Sequence, residues 1–214
     1  DGGAIYSTSN LNLQNCVFRN NYAKNVGGAM LATGDLVRLE NTLFYGNIGI
    51  ERAGGVYMNN TNGNITVVNS TFYNNSSLRG GVLEVRRGTA VIGNSIFAGN
   101  SGPPENISFS LTGTGTLYSS LLDGSIPNRL TDGGNNLFNT SPLFTNPTNN
   151  DFSLTVNSLA INSGDSSLIA LTKDLNGNSR KMGTVDMGAF EFQDVVSRRI
   201  GISSNNWNTI SNWN

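Results

Sequence analysis

No histidine occurs anywhere in the 214 residues of this chain. The side chain most often used to move protons near neutral pH, and the commonest metal ligand, is therefore absent. A single cysteine, Cys16, excludes an internal disulfide. Charged residues make up only 13% of the chain and the formal net charge is −1, so the basic footprint that nucleic-acid binding requires is missing. No apolar run approaches the roughly 20 residues of a membrane-spanning helix, and no secretory leader pattern opens the sequence. Neither direct membrane insertion nor a cofactor is expected. What remains is one domain with an elongated core and a surface made polar largely by Asn, Ser and Thr.

Asn and Gly are abundant, and they recur in phase. The motif Asn-x-x-Phe-x-x-Asn appears as Asn15, Phe18 and Asn21; Asn41, Phe44 and Asn47; Asn69, Phe72 and Asn75; and Asn94, Phe97 and Asn100. The first Asn residues are 26, 28 and 25 positions apart. A Gly-Gly pair precedes each copy at Gly2-Gly3, Gly27-Gly28, Gly54-Gly55 and Gly80-Gly81. A fixed period in the twenties marks a solenoid, in which each unit buries its apolar face on its neighbours.

Two positions before each first Asn stand Leu13, Leu39, Val67 and Ile92, and four positions before it stand Leu11, Val37, Ile65 and Ala90. The residues between them are polar or mixed. Alternation with period two predicts a half-buried strand, and no helical spacing is present anywhere in the unit. Each unit thus reads as one coil of about three short strands. The first follows Gly-Gly, the second is the Leu-x-Leu segment, and the third carries the Phe. Which residues of the first strand face inward stays open, because both alternations meet a polar residue in one coil. The fold class predicted is all-β, a right-handed parallel β-helix with an irregular C-terminal cap.

Coils about 4.8 Å apart place like side chains above one another. The four Phe rings should then stack inside, adding about 0.5–1.5 kcal/mol per pair beyond burial. The Asn files should form amide ladders at the turns. Cys16 falls level with Thr42, Ser70 and Ser95, and so reads as a small strand residue rather than a reactive thiol. A degenerate fifth coil at residues 119–125 replaces Asn by Ser119 and Phe by Leu122, after Gly102-Pro103-Pro104 breaks the pattern. The expected organisation is coils over 1–126, a last coil and cap over 127–192, and a linker with the start of another module over 193–214. Because Asp1-Gly2-Gly3 already lies inside a repeat, coils or a cap are expected upstream.

The Gly-Gly-Ala-Ile and Phe-x-x-Asn signatures resemble the repeats of polymorphic outer-membrane proteins, bacterial surface adhesins with β-helical passengers. Ser141-Pro142-Leu143-Phe144, Ala160 to Asp165, Asp174 to Arg180 and Val185 to Glu191 are similar to the end of choice-of-anchor Q, right-handed β-helix proteins, with Asn162 and Ser179 where that family usually has Asp and Pro. The closing Trp207-Asn208-Thr209-Ile210-Ser211-Asn212-Trp213 resembles module starts in large secreted proteins of the Bacteroidetes type. These resemblances imply an extracellular or cell-surface location and secretion by the type IX route. They also imply surface glycans, secretion-machinery proteins, other cell-surface proteins or neighbouring domains of the same polypeptide as partners.

Polysaccharide lyases and hydrolases also use this fold, and they need carboxylates converging from adjacent coils. Asp35, Glu40, Glu51, Glu84, Glu105 and Asp123 share no file, so a non-catalytic role is expected. Two ligand-binding candidates stand out. Tyr45 and Tyr73 each follow a coil Phe and could form an outward ledge for a sugar ring, or merely stabilise a turn. Arg52, Arg79 and Arg86, with Arg87, could favour an acidic glycan, or be scattered solvated charge. Asp174-Leu175-Asn176-Gly177-Asn178 is similar to the start of a calcium loop, but Ser179 and Val185 stand where Gly and Glu should be, which favours a turn and no metal. Asp174, Arg180, Asp186 and Glu191 are expected to form a polar network closing the C-terminal end of the solenoid.

Overall fold

The computed structural model describes residues 1–103, 106–180 and 183–193. The linker and module start expected over 193–214 fall outside these residues except for Gln193, as does Glu105. The coils form a parallel β-helix with three sheets along its length. The Leu-x-Leu strands, Leu11–Gln14 and Leu36–Glu40, pair in parallel with each other and then with Val56–Val68 and Leu83–Gly93. The post-glycine strands Ile5–Ser7 and Met30–Ala32 join the same nine-stranded sheet, because in the third and fourth coils the two predicted strands run on as one. The Phe strands Val17–Arg19, Leu43–Tyr45, Thr71–Tyr73 and Ile96–Ala98 form a second sheet, extended by Leu121–Leu122 and Leu137–Phe138. A further short strand per coil, Tyr22–Ala23, Ile48–Arg52 and Ser76–Arg79, builds a third sheet that the pattern does not announce.

Like residues fall into register. Phe18, Phe44, Phe72 and Phe97 are direct partners on adjacent strands. Their ring centroids lie 4.8, 4.6 and 4.6 Å apart, with planes within 9° of parallel. The stacking distance is set by the coil rise, so the parallel arrangement follows from backbone pairing. Val37, Leu39, Ile65, Val67, Ala90 and Ile92 fill the core opposite them. Leu39→Ala or Val67→Ala is expected to cost about 2–4 kcal/mol in a denaturant titration, as a buried truncation between two fixed rungs. A midpoint unchanged by either substitution would contradict their inward placement.

The inward residues of the post-glycine strand are Met30, Val56, Leu83 and Ile107, aligned with Ile5. This alignment corrects the phase of the third Gly-Gly pair by one position. The left-handed turn residue is Gly2, Gly27 and Gly80 in three coils, but Ala53, at φ 53°, in the third. The next residue, Gly3, Gly28, Gly54 or Gly81, packs so close to the neighbouring coil that a Cβ would lie 2.0–2.5 Å from its backbone. Gly is thus demanded at the second position by contact between coils, whereas at the first the left-handed φ favours Gly but admits Ala53.

After Phe138 the chain leaves the helix. Phe144–Asn146 and Asp151–Leu154 form an antiparallel hairpin around a 3₁₀ turn at Pro147–Asn149. The irregular segment that follows does not sit over the last rung. It runs back along the outer face of the Phe sheet and packs on coils two to four, where Phe152, Phe190 and Ala189 cover Leu43 and Tyr45. Met187, Ala160 and Leu154 cover Ile96 and Leu121.

Candidate functional site

The flank is held by the same residues that punctuate the repeat. Asn15, Asn41, Asn69 and Asn94 all take left-handed φ values, which Asn tolerates better than other non-Gly residues. Their side chains do not make one ladder. Asn41 Nδ2 donates to Asn15 Oδ1 at 2.6 Å and to the Lys173 carbonyl at 3.2 Å, while Asn41 Oδ1 accepts from Arg180 Nη2. Asn69 donates to the Asp186 carbonyl, and Asn94 exchanges two bonds with Asp165. Glu40, fully buried, accepts the Ala170 and Leu171 amides, both at 3.1 Å. Expected as a continuous file, these Asn residues are split between the turn and the docked segment.

The second Asn of each motif does form a file. Asn21, Asn47 and Asn75 each donate, through backbone N–H and side-chain Nδ2, to the Oδ1 of Asn47, Asn75 and Asn100 respectively. The remaining Nδ2 hydrogen of Asn47, Asn75 and Asn100 bonds the carbonyl of Phe18, Phe44 and Phe72 in the preceding coil. Asn106 and Asp123 extend the file. A hydroxyl file escapes the sequence reading. The amides of Thr42, Ser70 and Ser95 donate to the hydroxyls of Ser70, Ser95 and Ser120 one coil further on. The signal was present in the small residues level with Cys16, whose Sγ donates to the Gln14 carbonyl.

Arg180 is the centre of the polar network. It is 1% exposed, with Nη1 donating to Glu191 at 3.1 Å and Nη2 to Asn41 and the Gly188 carbonyl. Asp174 caps its own turn by accepting from the Asn178 amide and also takes the Glu191 amide, so the calcium-like stretch is a turn. Asp186 accepts the Asn162 and Phe192 amides. Burial, aided by the Asp186 charge, pushes the Glu191 carboxyl from 4.5 up to about 7, and burial raises Asp186 as well. The folded state therefore holds protons that the unfolded chain releases. The stability this adds is complete below the ordinary carboxyl range and is lost as pH climbs through about 7. Unfolding free energy should be higher near about pH 5 than near about pH 8 by about 1–2 kcal/mol after allowance for solvent screening, and the melting temperature should follow in the same direction. A higher melting point at the alkaline end would contradict this burial. The network thus closes the flank rather than the end of the solenoid.

The predicted ligand residues land differently. Tyr45 is only 9% exposed, 5.1 Å from the Phe152 ring, and Tyr73 lies 5.5 and 5.4 Å from Phe144 and Phe152. The outward tyrosine ledge is corrected: the hairpin covers it, because the two rings continue the apolar face on which the flank docks. Arg52 pairs with the buried Glu84, whose Oε1 also accepts from Ser110. Arg79 sits beside Arg52 in register on the third sheet, whereas Arg86 lies half-buried on the first sheet and Arg87 bonds Asn59. The arginines do not converge on one point.

One open cleft, of about 410 Å³, lies where the flank leaves the first coil uncovered. Its floor is Leu43, Tyr45, Phe152 and Phe190, and its rim carries Asn15, Arg19, Asp151 and Asn176. Arg19 Nη1 donates to the Tyr45 hydroxyl at 3.4 Å. Among the described residues no group of three or more Cys, Asp or Glu side chains is placed to hold a metal ion. Comparison with protein-family models, curated proteins and solved structures finds no match to this chain.

Proposed function

We propose that this chain is a non-catalytic extracellular segment of a large bacterial cell-surface or secreted protein, serving as an adhesin or rigid stalk. The observation that carries the reading is where the distinctive residues point. Phe, the second Asn and the Ser/Thr files of every coil are used between coils. The carboxyls whose pKa burial raises, Glu191 and Asp186, are buried around Arg180 instead of facing a cleft. A scaffold chosen for stacking has this distribution, whereas acid–base catalysis needs such groups within reach of a bound substrate. The resemblance to polymorphic outer-membrane repeats and to the choice-of-anchor Q ending supports a surface location. A stalk also benefits from flank and coils joined into one body.

Two measurements test the reading. Antibody or protease accessibility on intact cells should place the segment outside, and failure to label would overturn the surface role. Incubation with a panel of uronate polymers should leave them intact. Release of unsaturated sugar products would replace the scaffold reading by a polysaccharide-active enzyme.

A further inference from the structure

We propose that the cleft between the first coil and the C-terminal flank binds one neutral pyranose ring, as a glycan residue or chain end. Its size falls in the usual range for small-ligand sites, and it combines an apolar floor with a few polar groups. Val17 is 51% exposed there, although its register partner Leu43 is covered by the flank. Among the described residues, no segment covers the apolar face of the Phe sheet where it continues into the opening. Tyr45, Phe152 and Phe190 close the cleft beneath it as buried rings, so Val17 supplies most of the accessible apolar surface.

The rim supplies both hydrogen-bonding polarities. Arg19 is exposed and makes one bond, to Tyr45, which leaves most of its five N–H donors free. Asp151 commits Oδ1 to Ser153, and its other oxygen has no partner among the described residues. Among those residues Arg19 and Asp151 form no ion pair, with each other or with any other group. The Asn176 amide is exposed, makes no side-chain hydrogen bond among the described residues, and lines the same opening.

A sugar hydroxyl both accepts and donates, so vicinal hydroxyls can take bonds from Arg19 and Asn176 and give one to Asp151. The C–H face of the ring would lie on the exposed Val17 side chain. Charge selects against the alternatives. A uronate drawn to Arg19 also meets the Asp151 charge in the same opening, and an amino sugar drawn to Asp151 meets Arg19, so each attraction is offset by a repulsion and by the cost of desolvating the ligand's own charge. A neutral ring meets neither.

The cleft deepens the adhesin half of the proposed function and rests on it only for its biological role. Binding in vitro tests the cleft and surface labelling tests that role, so either can fail alone. The experiment is a titration followed by calorimetry or saturation-transfer NMR, using methyl glycosides of glucose, galactose and mannose, with glucuronate and glucosamine as charged probes. At least one neutral glycoside should bind with a dissociation constant of order 1–10 mM, as expected for so small a ligand. Arg19→Ala, Asp151→Ala and Asn176→Ala should each weaken it by about tenfold or more while melting like the parent, since all three side chains are exposed. Absence of binding by all three neutral probes would overturn the proposal. Unchanged affinity in the three variants would do so too, as would tighter binding of glucuronate or glucosamine than of any neutral ring.

Discussion

Arg180→Met is expected to lower the unfolding free energy by about 3–5 kcal/mol, the cost of removing one partner from a buried ionic network. The methionine fills much of the space, but Glu191, the Asn41 amide oxygen and the Gly188 carbonyl lose their donor. The attraction that Arg180 exerts on Asp174 and Asp186 is lost as well. Glu191 and Asp186 can relieve part of this by taking up protons, so the penalty should shrink as pH falls. Hydrogen exchange separates the flank from the coils. Amides of Ala170, Leu171 and Ala189, which bond Glu40 and Thr71, should exchange faster in the variant, whereas those of Asn47 and Asn75 should stay protected. A loss under about 1 kcal/mol, or equal deprotection of both sets, would mean that Arg180 is not what fastens the flank.

Asn75→Ala should be as damaging by a different route. Asn75 is fully buried and its side chain makes four bonds: two accepted from Asn47, one donated to the Phe44 carbonyl and one donated to Asn100. Alanine leaves those groups facing a sealed interior without partners, at about 1–3 kcal/mol each before relaxation. A net loss of about 4–6 kcal/mol follows, because neighbouring coils are fixed by their ladders and cannot move in to compensate. Asn15→Ala is the control. Asn15 is exposed, its amide oxygen accepts among the described residues only from Asn41, and the left-handed backbone accounts for about 1–2 kcal/mol. Comparable midpoints for the two variants in urea would show that the amide file is not a source of stability.

Periodic features were legible in the sequence because a solenoid writes the same contact several times. The Phe stack, the Leu-x-Leu core and the Asn21 to Asn100 file each needed only that equal residues align. What was not legible depends on partners far away in the chain. Glu40, Asn41 and Thr71 look like ordinary strand and turn residues, yet they receive the flank from residues 130, 139 and 118 positions later. Tyr45 and Tyr73 were read as exposed for the same reason, since nothing near them announces Phe144 and Phe152. The third coil was misphased because Gly54-Gly55 is a true pair in sequence while Ala53 takes the left-handed position, so two glycines no longer mark the corner. The cleft beside Arg19 arises from where the flank happens to end, which no local pattern records.

The docked flank also determines how the molecule carries load. Traction on the chain beyond Phe192 reaches first a segment fastened side by side to Glu40, Asn41, Thr71 and Asn94. Bonds stressed together share a force, whereas rungs peeled from a free end yield one after another. Residues 160–180 and 183–192 therefore work as a splice along the second to fourth coils, keeping that stretch wound under tension.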